Sequence, residues 1–175
     1  MATIRDERTT RLESFEAAAM PHLETLLRSA RHITGERHIA DDLVQETMLQ
    51  AWRAFHQFQP GTNCKAWLYR IMLNLWSKLR KKQQPARYIV ALDEVELGRE
   101  SAVLTNLQLS TALDTMPAEQ RAVLVLGIVE GFSCREIAEM LALPIGTVMS
   151  RLARGREKLR AALEYSSRSQ ETTKC

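Results

Sequence analysis

Apolar residues recur along most of this chain at three- and four-residue intervals, the spacing that builds one face of an α-helix. Leu12, Phe15, Ala19, Leu23, Leu26, Leu27, Ala30 and Ile33 predict a helical stretch over 12–34. Pro21 should break or kink it near Met20, because its ring removes an amide donor and crowds the preceding turn. Gly35 supplies a C-terminal stop. Ile39, Leu43, Thr47, Ala51 and Phe55 mark one face of a second helix over 39–55. Asp41 and Asp42 are expected in its first turn, where carboxylates favour the positive end of the helix dipole. Gln59-Pro60-Gly61-Thr62-Asn63 reads as a turn, and Thr62 or Asn63 can cap the next helix. That third helix covers 65–82, with Leu68, Ile71 or Met72, Leu75 and Leu79 as its buried stripe.

The pattern changes after Lys82. Gln83-Gln84-Pro85 stops the helix and an acidic stretch comes after it, so 83–100 reads as a linker. Helical spacing resumes over 102–115, and Pro117 opens another helix to about Val129, ended by Glu130-Gly131. Ser133-Cys134-Arg135-Glu136 is a capping box ahead of Ile137, Met140 and Leu141. That short helix should end near Leu143, where Pro144 opens a last one to about Glu164, with Val148, Leu152, Leu159 and Leu163 inward and a frayed polar tail over 166–175. The expected fold is all-α: two small helical domains, 1–82 and 101–175, joined by the linker 83–100, the second a helix-turn-helix domain.

Composition agrees with this and excludes much else. Seven Gly and five Pro in 175 residues are too little punctuation for a many-stranded sheet. No apolar run approaches the roughly 20 residues that cross a bilayer. The opening MATIRDERTTRLESFE has no apolar signal segment, so a cytoplasmic chain without membrane insertion is expected. Cys64, Cys134 and Cys175 are far apart, and His22, His32, His38 and His56 lack ligand spacing, so no metal site is expected. Phosphate-cradling glycine motifs and nucleophile elbows are missing as well. The expectation is therefore no cofactor, no small-molecule substrate and no catalysis.

Net charge is only +3, but it is blocked. Between Glu46 and Asp93 there is no acid, yet there are eight bases: Arg53, Lys65, Arg70, Lys78, Arg80, Lys81, Lys82 and Arg87. A second basic run, Arg151, Arg154, Arg156, Lys158 and Arg160, is interrupted only by Glu157. Two basic runs, one threaded with aromatics, point to nucleic acid rather than to merely solvated faces.

Three constellations stand out. Gly131 to Leu163 reads as a capped short helix, a tight turn at Ala142-Leu143-Pro144 and a longer basic helix, the plan whose second helix enters a major groove. Gly146, Thr147, Ser150, Arg151, Arg154 and Arg156 lie on its first turns, with 147, 150, 151 and 154 on one side, in reach of base edges or phosphates. The third helix sets Lys65, Arg70, Lys78 and Arg80 among Trp67, Tyr69, Asn74 and Trp76. Cations hold the phosphates of a single strand, aromatic planes lie under its bases, and an exposed amide pairs with the edge of an unstacked base. Trp67 taken alone is more readily a core residue. On the second helix Asp42, Gln45 and Glu46, continued by Leu49 and Trp52, combine exposed acids with apolar groups as a protein interface would.

In this order the three features resemble the bacterial RNA polymerase sigma factors of the extracytoplasmic-function type. Ala40-Asp41-Asp42-Leu43-Val44-Gln45-Glu46-Thr47, Ala51-Trp52-Arg53-Ala54-Phe55, Pro60-Gly61-Thr62-Asn63 and Lys65-Ala66-Trp67-Leu68-Tyr69-Arg70-Ile71, then Asn74, are similar to sigma region two. Met116-Pro117-Ala118-Glu119-Gln120-Arg121, Glu130-Gly131-Phe132-Ser133, Glu136-Ile137-Ala138 and the run Gly146 to Arg156 are similar to region four. The resemblance implies that Asp42, Gln45 and Glu46 bind core RNA polymerase. It implies that the helix from Lys65 to Arg80 melts the minus-ten promoter element, with Asn74 beside a flipped base, and that the last helix reads the minus-thirty-five element. It also implies an anti-sigma factor as a partner. Met149 departs from the family, many of whose members carry Lys or Arg there. Two other readings compete with this one. A plain helix-turn-helix regulator would need a ligand or receiver domain ahead of its reader, and the first half shows no βα alternation. A sigma mimic that titrates an anti-sigma protein could dispense with the basic stripe and with Arg151 and Arg154.

Overall fold

The computed structural model describes residues 2–83 and 112–171, with side chains over 9–82 and 112–161. Among the described residues all regular structure is helical. The chain divides into two compact units, 1–31 with 36–83, and 32–35 with 84–175. The expected linker over 83–100, and the expected helix over 102–115 as far as residue 111, lie outside the described residues.

In the first unit α1 is Ala2–Ala19 and Met20–His22 form a 3₁₀ turn; α2 is Leu23–Thr34, of which residues 23–31 fall in this unit. Pro21 breaks the stretch where expected, at the start of that turn. α1 begins ten residues earlier than its apolar spacing suggests, because no Gly or Pro precedes Pro21. α3 is Arg37–Ala54 and α4 is Cys64–Gln83. Glu36, in extended backbone, takes the N-cap position of α3, and the Ala40 amide already donates to its carbonyl. Asp41 and Asp42 therefore sit in the second turn of α3, and its first turn holds no acid. Gly61 adopts φ +86°, the left-handed conformation that costs a glycine little, and Thr62 closes the turn on the Gln59 carbonyl. Asn63 caps α4, its Oδ1 accepting from the Ala66 amide at 3.0 Å.

The core of this unit is Phe15, Leu26, Leu43, Val44, Leu68, Met72 and Leu73. Its buried hydroxyls are satisfied. Tyr69 donates to Ser29 Oγ at 3.0 Å, and Thr47 to the Leu43 carbonyl.

In the second unit residues 112–114 are helical and α5 is Ala118–Leu124. The Pro117 carbonyl accepts the Gln120 and Arg121 amides and starts α5. A π turn, Val125–Val129, continues it, closed by the Glu130 amide on the Val125 carbonyl. α6 is Cys134–Leu141 and α7 is Ile145–Glu171. α7 runs past the expected end at Glu164, since no Gly or Pro follows Gly155.

Two glycines set how closely these helices approach. A methyl group on Gly155 would lie 2.6 Å from Leu124 Cγ and Cδ1, so α7 crosses α5 there with no room for a side chain. A methyl group on Gly127 would lie 3.0 Å from Leu152 Cδ1. Leu124, Leu126, Ile137, Val148 and Leu152 fill the core that results.

Candidate nucleic-acid and protein interfaces

The α3 face is built as its spacing predicts. Asp42, Gln45, Glu46 and Leu49, at i, i+3, i+4 and i+7, are all exposed, while Leu43, Val44, Thr47 and Ala51 face the core. Gln50 donates to Glu46 Oε1 at 3.0 Å and steadies that carboxylate. Leu49 keeps 43% of its surface, a large apolar group beside two acids. Trp52, at the end of the row, is half-buried. Its ring meets Phe15 edge to face at 5.4 Å, and the Arg11 guanidinium stands 4.8 Å from its centroid. Arg11 also donates to the Trp52 carbonyl at 3.0 Å, tying α1 to the end of this face.

On α4 the cations and the aromatics separate. Arg70, Asn74 and Lys78, four residues apart, form an exposed stripe that Lys81 and Lys82 extend. The whole helix carries six bases and no acid. The expected platform of interleaved rings is smaller than the spacing suggests. Tyr69 is fully buried and Trp76 is 6% exposed, so both belong to the core. Arg80 covers the remaining edge of Trp76, its guanidinium 5.0 Å from the ring. Lys65 lies 5.9 Å from the Tyr69 ring.

Trp67 is half-buried rather than core, packed on Phe58 at 5.0 Å and Phe55 at 6.5 Å. Phe55 continues to Phe15 at 5.2 Å, so a ladder of rings supports Trp67 from beneath and leaves part of it outward. Helical spacing names Phe55, which opens the 3₁₀ turn Phe55–Gln57, but not Phe58, which follows that turn in extended backbone, so periodicity alone does not reveal the ladder. Cys64, at the first position of α4, is half-buried, and that burial pushes its thiol up from the ordinary value.

The second unit holds a capped turn and an exposed helix. The Ser133 amide donates to Glu136 Oε2 at 2.8 Å, and the Glu136 amide returns a bond to Ser133 Oγ. The Ser133 amide and the Ser133 hydroxyl, which donates to the same Oε2 at 2.7 Å, together hold the Glu136 carboxyl below its ordinary value. Ala142 ends α6 in the left-handed conformation, φ 51°, and the Pro144 carbonyl accepts the first amides of α7.

Along α7, Gly146, Ser150, Arg154 and Arg156 are exposed, while Val148 and Leu152 are buried. Ser150 donates to the Thr147 carbonyl at 3.0 Å. Two candidates stand apart from the rest. Thr147 is half-buried, and so is Arg151, whose Nη2 is paired with the Glu119 carboxylate of α5. The four-residue side foreseen for 147, 150, 151 and 154 thus splits into an outward pair, Ser150 and Arg154, and an inward-leaning pair. Glu119 lies 32 residues from its partner, and no sequence spacing pairs the two.

Among the described residues no group of His, Cys, Asp or Glu is placed to hold a metal ion, and no helix is long and apolar enough to cross a membrane. The chemistry on offer is recognition: an anionic and apolar face, a cationic stripe beside an outward tryptophan, and a capped helix presenting arginines.

Residues 19–85 match the family Sigma-70 region 2, and residues 106–159 match Sigma-70, region 4. The chain is 35% identical over 167 residues to the ECF RNA polymerase sigma factor SigE of Mycolicibacterium smegmatis, covering 89% of this chain and 64% of that one. It is 37% identical over 150 residues to the ECF RNA polymerase sigma factor EcfG of Rhodopseudomonas palustris, covering 83% and 81%. Among solved structures it is similar to the sigma factor RpoE of Bartonella quintana, seen in complex with the anti-sigma factor NepR. That match has a TM-score of 0.70 at 29% identity and covers 87% of this chain and 98% of that one.

Proposed function

Because the chain belongs to the extracytoplasmic-function branch of the sigma-70 family of RNA polymerase sigma factors, we propose that it binds core RNA polymerase, directs it to a particular set of promoters and helps open them. The observation that carries this reading is the pairing, in one chain and in family order, of the acid-free stripe of α4 with the capped helix-turn-helix of α6 and α7. The first unit engages polymerase through Asp42, Gln45, Glu46 and Leu49, with Trp52 as the half-buried end of that face.

The same unit takes the minus-ten element on α4. Lys65, Arg70, Lys78 and Arg80 neutralise phosphates, Trp67 stacks a base, and Asn74 pairs with the edge of a base that has left the duplex. Opening requires no covalent step by the protein. Capturing an unstacked base offsets part of its unstacking cost, at about 1–3 kcal/mol per stacked base. The second unit lays α7 in the major groove of the minus-thirty-five element. Gly146 and Ser150 lie against the bases, Arg154 reaches a base edge, and Arg156 reaches the backbone. Thr147 and Arg151, held inward, set the seat of the helix, Arg151 through Glu119.

The protein acts by binding, without catalysis or a cofactor, in the cytoplasm and on the nucleoid once assembled with polymerase. The likeness to RpoE, whose structure is a complex with an anti-sigma factor, supports control by such an inhibitor here.

Run-off transcription with purified core polymerase on a randomised promoter library tests the reading. Enrichment of a two-element promoter that depends on this chain is the expected result. The absence of any chain-dependent transcript, with no inhibitor present, overturns it.

A further inference from the structure

Met149 is the most exposed of the large apolar side chains in the described residues, keeping 57% of its surface, and it stands on α7 among the groups assigned to the groove. Its neighbours on the helix surface are Ile145 and Gly146, at i−4 and i−3, and Ala153, at i+4; Leu152, at i+3, is buried. Gly146 and Ala153 are small, a Cβ built on Gly146 meets no atom within 4 Å, and Ile145, 48% exposed, sets a second apolar group beside the thioether. A flexible thioether thus projects from α7 as the more exposed member of a small apolar pair with Ile145, with Ser150 and Arg154 on one flank. It takes no part in the core, whose residues on this helix are Val148, Leu152 and Gly155.

The major-groove edges of the four bases carry one methyl group, on C5 of thymine; apart from the small C5–H of cytosine at the same place, what they offer are hydrogen-bond donors and acceptors. An unbranched apolar side chain has no hydrogen bond to offer those polar positions, and burying it against them without compensation is unfavourable. Against a methyl it gains the burial of both surfaces. Resting on the groove reading of α7 above, we propose that Met149 is a specificity-determining residue that recognises the C5-methyl of one thymine in the distal promoter element. A cation at this position would take a phosphate or a guanine edge, so Met149 shifts the preference of this chain towards a thymine.

Deoxyuridine differs from thymidine only by the missing methyl, so it isolates the contact. Holoenzyme binding is measured on a promoter selected from the library, with each distal-element thymine replaced in turn by deoxyuridine. Wild-type protein, Met149→Ala and Arg154→Ala are compared. At one thymine the wild type should lose about fourfold in affinity, the worth of one buried methyl. Met149→Ala should lose a similar amount on thymine DNA and show no further loss with deoxyuridine at that position. Equal deoxyuridine penalties in wild type and Met149→Ala at every thymine overturn the proposal. So does a Met149→Ala loss that is the same on both bases, which would mark a protein contact. The Arg154→Ala arm separates the two levels. If that variant also binds as wild type does, the groove reading fails; if it weakens binding while Met149 shows no methyl coupling, only the methyl contact fails.

Discussion

Replacing Gly155 by alanine pits local helix propensity against tertiary packing, and the structure says which prevails. In an isolated helix the change is favourable by about 0.5–1 kcal/mol, since alanine loses less backbone freedom than glycine. Here the new methyl would sit 2.6 Å from Leu124 Cγ and Cδ1 and 2.8 Å from Cδ2, where ordinary contact begins at 3.4 Å. Leu124 is 1% exposed, and the overlap includes its Cγ and not only a terminal methyl, so the clash is not relieved by moving the end of the side chain alone. Overpacking of this kind costs about 1–3 kcal/mol, with α7 pushed off α5 by a fraction of an ångström. The net expectation is a loss of about 1–2 kcal/mol in the second unit, or roughly 5–15 °C in its melting temperature.

The three tryptophans, Trp52, Trp67 and Trp76, all lie in the first unit, so their fluorescence follows that unit while far-ultraviolet circular dichroism follows both. Gly155→Ala should lower a dichroism transition and leave the fluorescence transition in place. Leu124→Ala in the same chain should relieve part of the loss, a coupling of about 0.5–3 kcal/mol between the two sites. Gly155→Ala melting at or above the parent temperature by dichroism would refute the close crossing of α5 and α7.

Three further outcomes are expected. Arg154→Ala should weaken holoenzyme binding to its minus-thirty-five element by about 1–3 kcal/mol and leave a scrambled element unaffected, whereas Arg156→Ala should weaken both alike and lower the salt slope by about one; titration at several salt concentrations distinguishes them. Asn74→Ala should impair opening more than initial binding, read as a weaker permanganate footprint at the minus-ten thymines beside an unchanged gel shift. The lowered Glu136 carboxyl stabilises the folded chain above its ordinary value near 4.5, and that contribution disappears as pH falls through the lower, folded value. Glu136→Gln should therefore flatten the acid side of the melting-temperature profile of the second unit, and a profile parallel to wild type would contradict the cap.

The features legible in the sequence are those that neighbours in the chain decide. The Ser133–Glu136 cap, the Asn63 cap, the break at Pro21 and the outward row Asp42, Gln45, Glu46 and Leu49 all arise from interactions within about one or two helical turns, which residue spacing encodes directly. Tertiary structure alone decided the matters in which a residue had two acceptable fates. An aromatic at helical spacing suits a core and a stacking surface equally, and only the elements opposite them bury Tyr69 and Trp76 while propping Trp67 outward on Phe55 and Phe58. An arginine on a basic helix suits DNA or a carboxylate, and only the fold brings Glu119 to Arg151 while leaving Arg154 exposed. Gly155 carries no local signature, because the reason for it is the Leu124 side chain of another helix. Hydrogen bonds along a helix are settled by residues three or four positions away, but the burial of a side chain is settled by whatever surface the rest of the chain sets against it.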